Sequence, residues 1–133
     1  MTLAAYKVVH ILGVLFLFTA LGSLLAAAWP SGNAAGSAGA GSNAGPLRKR
    51  AGLTHGLALV LVLVSGFGML ARLGSSAPGV WGLWVWLKLL TWLLLGAGLT
   101  LIRRQPRWAP GLWLLLPVLG GLAAYLALYK PDF

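Results

Sequence analysis

Cysteine is absent from this chain, and acid is nearly so: one carboxylate, Asp132, stands against ten Lys/Arg. Without thiols there is no disulfide, no thiolate-ligated haem and no iron–sulfur cluster. With a single acid near the tail, paired-carboxylate chemistry is excluded. So is a nucleophile–base–orienter set, because Ser23, Ser65, Thr91 and Thr100 have no acid to work with. Proton- and cation-coupled exporters generally need a carboxylate within the membrane, and none occurs before Asp132. Charge of either sign is scarce. Charged residues make up 8% of the chain, where a soluble domain carries about 25%.

Apolar residues fill the space instead, at 59% of the sequence. A membrane span needs about 20 mostly apolar residues, and four stretches qualify: 3–29, 51–73, 80–102 and 111–129. The sequence therefore predicts an all-α integral membrane protein, one domain of four transmembrane helices. The Gly/Ala/Ser-rich segment 30–47 is too small and polar to bury anything and reads as a flexible linker. The connections at 74–79 and 103–110 are short, which predicts antiparallel neighbours and an up-down-up-down bundle. Ala26–Ala28 faintly resembles a signal-peptide cleavage site, but the apolar region is too long and its start nearly uncharged.

Basic residues in the flanks set the orientation. Arg48, Lys49, Arg50, Arg103, Arg104 and Arg107 lie on one side; Lys7, Arg72 and Lys130 lie on the other. The linker and the Arg-rich loop are expected in the cytoplasm, with both termini outside a bacterial cytoplasmic (inner) membrane. Tyr6, Trp81, Tyr125 and Tyr129 would form one aromatic belt, and Trp29, Trp108 and Trp113 the other. Next to apolar runs, the basic excess points to anionic lipids rather than to nucleic acid. Other membrane subunits, or a homo-oligomer joined through Gly52 and Gly56, are the further partners in view.

Lys88 is the residue that most needs explaining. It is the only ionisable group in the apolar run 80–102, where a charged lysine costs several kcal/mol. It either snorkels to an interface or faces the bundle interior and acts there. His10 lies one turn inside Tyr6, roughly 6 Å in, and Lys88 roughly 10 Å inside Trp81 at the same side. His55 lies roughly 8 Å in from the opposite face. His10 and Lys88 could thus hold one metal between them, while His55 is too distant to join; its plainer reading is packing or head-group contact. Trp84, Lys88 and Trp92 share a helix face. Two indoles there could wall a flat cofactor or hold the ammonium by cation–π attraction. Gly13, one turn after His10, admits a close-lying ligand or a neighbouring helix.

The opening segment YKVVHILGVLFLFTALGSLL and the third-run motif WVWLKLLTW resemble the small four-helix membrane proteins of the HemJ, CopD and SirB kind. In the HemJ family a first-helix histidine and a third-helix lysine are thought to hold haem b. The resemblance implies His10 and Lys88 as iron ligands; by position alone, Trp84, Trp92 and Gly13 could line such a cofactor, and Arg72 or Lys7 could meet its propionates. His55 is a lesser candidate for iron. Copper uptake of the CopD kind is poorly served by two methionines, Met1 and Met69, and no cysteine. Three functions follow as expectations. The first is haem-b electron transfer, or oxidation of a lipid-soluble or porphyrin-like substrate. The second is an accessory or assembly subunit of a larger membrane complex. The third is a small anion transporter or channel.

Overall fold

A computed structural model of the chain describes residues 1–28, 44–74 and 81–129. Its regular structure is helical: α1 (Leu3–Ala28), α2 (Ala44–Arg72), α3 (Leu83–Arg104) and α4 (Ala109–Tyr129), with a short 3-10 turn (Pro106–Trp108) joining the last two. All four helices are long and apolar enough to cross a membrane. Trp29, most of the linker, the 75–80 connection, Lys130 and Asp132 lie outside the described residues.

Helix limits differ from the apolar runs for a physical reason. α2 begins at Ala44 rather than at Ala51, so the end of the expected linker and all of Arg48–Arg50 are helical. Hydropathy marks what hydrocarbon accepts, whereas Leu, Arg and Lys are good helix formers whatever surrounds them. Pro46 is tolerated because amide groups of the first turn have no intrahelical partner. At the other end Gly74 takes a left-handed conformation (φ 77°) that closes α2. In α4, Pro110 sits in the first turn, but Pro117 lies inside the helix and withholds one backbone donor.

α1 packs most extensively on α2. Tyr6 lies on Gly68, His10 on Ser65 and Gly66, and Gly13 on Val62 and Ala58. Partners therefore descend α2 as one ascends α1. α2 and α3 are matched in the same opposed sense, with His55 against Leu95, Trp92 against Leu59 and Arg103 against Arg48. Small residues let these backbones approach: a Cβ at Gly13 would stand 2.9 Å from a Val62 methyl and 3.3 Å from the Val62 amide. Phe18 lies on Gly120 of α4 in the same way.

The core is lopsided. Leu17, Leu21, Leu24 and Leu25 of α1 meet Leu95 and Ile102 of α3 and Leu112 and Leu116 of α4. Gly13 is the first buried residue of α1, so the turns that carry Tyr6 and His10 have none. The aliphatic core lies in the half of the bundle holding the end of α1 and the start of α2. In the other half α1 has no buried residue before Gly13, although Tyr6 and His10 lie close on α2 there.

Gly13→Leu should destabilise the protein by about 1–3 kcal/mol, because the added side chain must displace Val62. Gly22→Ala, at a helical site with nothing within 4 Å, should be neutral or stabilising by up to about 1 kcal/mol. Thermal unfolding of both variants in detergent checks the pair, and equal effects would contradict the register.

Candidate functional site

Three helices contribute polar groups to the half of the bundle away from the aliphatic core. His10 comes from α1, Ser65 from α2, and Lys88 from α3. Each is placed by helical spacing around apolar residues that face outward. The hydroxyl groups in these helices mostly turn back to their own backbone. Thr19 bonds Leu15, Ser23 bonds Ala20, and Thr91 bonds Leu87. This is the usual recourse of Ser and Thr where water is scarce. It leaves none of them primed as a nucleophile.

Ser65 does more. Its Oγ lies 2.6 Å from the Leu61 carbonyl oxygen and 3.2 Å from that of Val62, and 2.9 Å from Nδ1 of His10. A hydroxyl has one proton, and the short contact to Leu61 claims it. With the hydroxyl proton on Leu61, Nδ1 of His10 is the donor to Ser65, a role that depends on the tautomer of the ring. The neutral ring then carries its lone pair on Nε2, which is the arrangement a metal-binding imidazole takes when its other nitrogen is held by a neighbour.

Lys88 is partly buried, with Nζ 4.9 Å from the centre of the Trp84 ring one turn before it. That distance is within the range of cation–π attraction. Lys88 also lies near enough to His10 for its charge to act on the imidazole. Trp92 is engaged elsewhere, for its indole Nε1 donates to the Leu59 carbonyl at 3.0 Å and ties α3 to α2. Gly13 is spent on the contact with α2. Arg72 donates to the Met1 carbonyl at 2.7 Å, which pins the end of α2 to the start of α1, at the end of the bundle where His10 lies.

His55 is 1% exposed and separate from this group. Its Nε2 donates to the Leu95 carbonyl at 3.2 Å, and its Nδ1 is buried with no hydrogen-bond partner among the described residues. Its position on α2 is ten residues from Ser65, a rise of about 15 Å. The two histidines therefore stand at different levels and cannot ligate one ion together. Among the described residues no group of three or more His, Cys, Asp or Glu side chains is assembled for a metal.

Ser65, Gly66 and Gly68 are the residues sequence reasoning passed over as partners of α1. The signal was present as SGFG in an otherwise branched, bulky helix: small residues stand where His10 and Tyr6 need room.

The chain matches no protein-family model, no curated protein and no solved structure. Function must be read from its own residues.

The two histidines should hold opposite neutral tautomers, Nδ1–H at His10 and Nε2–H at His55. Nitrogen-15 NMR of histidine-labelled protein should resolve both. Ser65→Ala should abolish the preference at His10 alone and cost about 1 kcal/mol of stability. A His10 ring that keeps its tautomer in that variant would show that Ser65 does not set it.

Proposed function

We propose that this chain is a multi-pass protein of the bacterial cytoplasmic membrane, crossing it up-down-up-down with both termini outside. In this reading it binds haem b between His10 of α1 and Lys88 of α3. Its work is electron transfer, or the oxidation of a lipid-soluble or porphyrin-like substrate. The observation that carries the reading is the contact of His10 with Ser65. Ser65 Oγ lies 2.9 Å from Nδ1 of His10, which as the donor leaves its lone pair on Nε2, and the charge of Lys88 acts on the same ring.

The donor set suits a haem iron, for which histidine is the usual b-type ligand. Haem would supply one-electron chemistry, and the chain's part is to hold and tune it. Ser65 orients the imidazole. Lys88 could ligate only as the neutral amine. The face of Trp84 competes for the same nitrogen as an ammonium, so ligation would draw Lys88 away from the ring. Arg72 and Lys7 are the cations at the end of the bundle where carboxylates of a porphyrin would seek partners. The likeness to the HemJ, CopD and SirB kind is the source of this assignment and belongs to the same proposal.

One observation favours a second reading. Only 17% of the apolar window is buried in each of α2 and α4. Outward apolar surface on that scale also suits an accessory subunit packed among other membrane helices.

The deciding experiment is the absorption spectrum of protein purified in detergent from haem-replete cells, oxidised and dithionite-reduced. The expected result is a sharp Soret band with α and β bands on reduction. His10→Ala and Lys88→Met should each lose the bands while the helical content stays unchanged. Haem kept after Lys88→Met would remove the lysine from ligation, and a featureless wild-type spectrum would overturn the redox reading in favour of the accessory subunit.

A further inference from the structure

The opposite end of the bundle carries a feature that the redox reading does not use. Arg48 and Lys49, near the start of α2, and Arg103, in the last turn of α3, line a single cavity of about 400 Å³. No carboxylate side chain exists among the described residues, and the whole sequence contains one. Three cations thus converge without an acidic side chain of the chain's own to offset them.

Arg103 is exposed, yet it is positioned across the face of α2. Its Nη2 donates to the Arg48 carbonyl at 3.4 Å. Its guanidinium also lies directly over Gly52, where any Cβ would collide with Nη2. Gly52 is therefore a cradle, and its lack of a side chain is what lets an arginine from α3 cross the face of α2. A guanidinium presents five donors, and the bond to Arg48 uses one of its nitrogens. The planar fork that remains matches phosphate geometry. The apolar run of α2 starts at Ala51, so the cavity stands where apolar helix gives way to charge. That is the level at which head-group phosphates lie beside a spanning helix.

We infer that the cleft lined by Arg48, Lys49 and Arg103 binds an anionic phosphate group, carried by the head group of an anionic phospholipid or present as free phosphate. Arg103 supplies the oriented fork, Arg48 and Lys49 supply field and further donors, and Gly52 positions Arg103. The inference is independent of haem. Its lipid arm shares with the proposed function only the placement of the chain in a membrane.

Full-length protein, purified in a neutral detergent and stripped of lipid, tests it by native mass spectrometry and thermal unfolding. The probes are phosphatidylglycerol, phosphatidylcholine, and inorganic phosphate against chloride at equal ionic strength. The expected result is a preference of about tenfold for phosphatidylglycerol over phosphatidylcholine, with a raised Tm. Protection by inorganic phosphate alone, without lipid selectivity, identifies a soluble phosphate as the ligand and upholds the site. R48Q/R103Q should abolish binding, and R104Q/R107Q, which removes equal charge outside the cleft, should leave it intact. G52L keeps every charge and should weaken binding by displacing Arg103. Equal response to both lipids together with equal response to phosphate and chloride would overturn the site. So would selectivity that survives R48Q/R103Q, or that R104Q/R107Q removes just as well. The four arginines are exposed, so these variants can be compared in folded protein.

Discussion

The structure depends on one scarcity: the chain has almost no side-chain anions, so its polar side chains must find acceptors elsewhere. They find them on the backbones and hydroxyls of neighbouring helices. His55 reaches the Leu95 carbonyl, Trp92 that of Leu59, Arg103 that of Arg48 and Arg72 that of Met1, while His10 reaches the Ser65 hydroxyl. Each of these bonds joins α2 to α3 or to α1 and the residues leading into it. α2 is therefore the polar hub of the molecule, although its sequence reads as an ordinary apolar span. A bond of this kind is worth about 1 kcal/mol net, but leaving its donor unpaired in apolar surroundings costs about 1–3 kcal/mol. The bonds thus contribute more to fixing the register of the helices than to raising total stability.

Shape complementarity follows the same register. Where α1 presents a ring, α2 or α4 presents a glycine: Tyr6 on Gly68, His10 beside Gly66, Phe18 on Gly120. Between hydrocarbon-like surfaces there is little hydrophobic preference for one helix face over another, so close contact and polar bonds decide which faces meet. The aliphatic core of Leu17, Leu21 and Leu24 fills one half of the bundle, and the histidine–lysine group occupies the other.

Much of this was legible in the sequence and some was not. The four helices were visible because the length of an apolar run is a one-dimensional property. The start of α2 was not, because hydropathy is silent about a helix continuing beyond its apolar part through Pro46 and Arg48–Arg50. Depth counting put His10 and Lys88 at one side of the membrane, since 1.5 Å per residue holds in any helix. Their partners did not follow. Ser65 as the acceptor for His10, Trp92 as a tie to Leu59 and Gly52 as the bed of Arg103 all depend on how helices are rotated about their axes. An apolar-all-round helix gives no periodic signal of that rotation.

The carbonyl-based network has a further consequence. Most soluble proteins loosen in acid because carboxylates that anchor them take up protons near pH 4. Here the bonds between helices are made by imidazole, indole and guanidinium donors to neutral oxygens. Protonating either histidine leaves its existing N–H bond in place, since His10 donates through Nδ1 and His55 through Nε2. The indole and guanidinium clamps are therefore parts that acid does not unfasten, whereas charging His55 would bury a cation and a second N–H with no acceptor among the described residues.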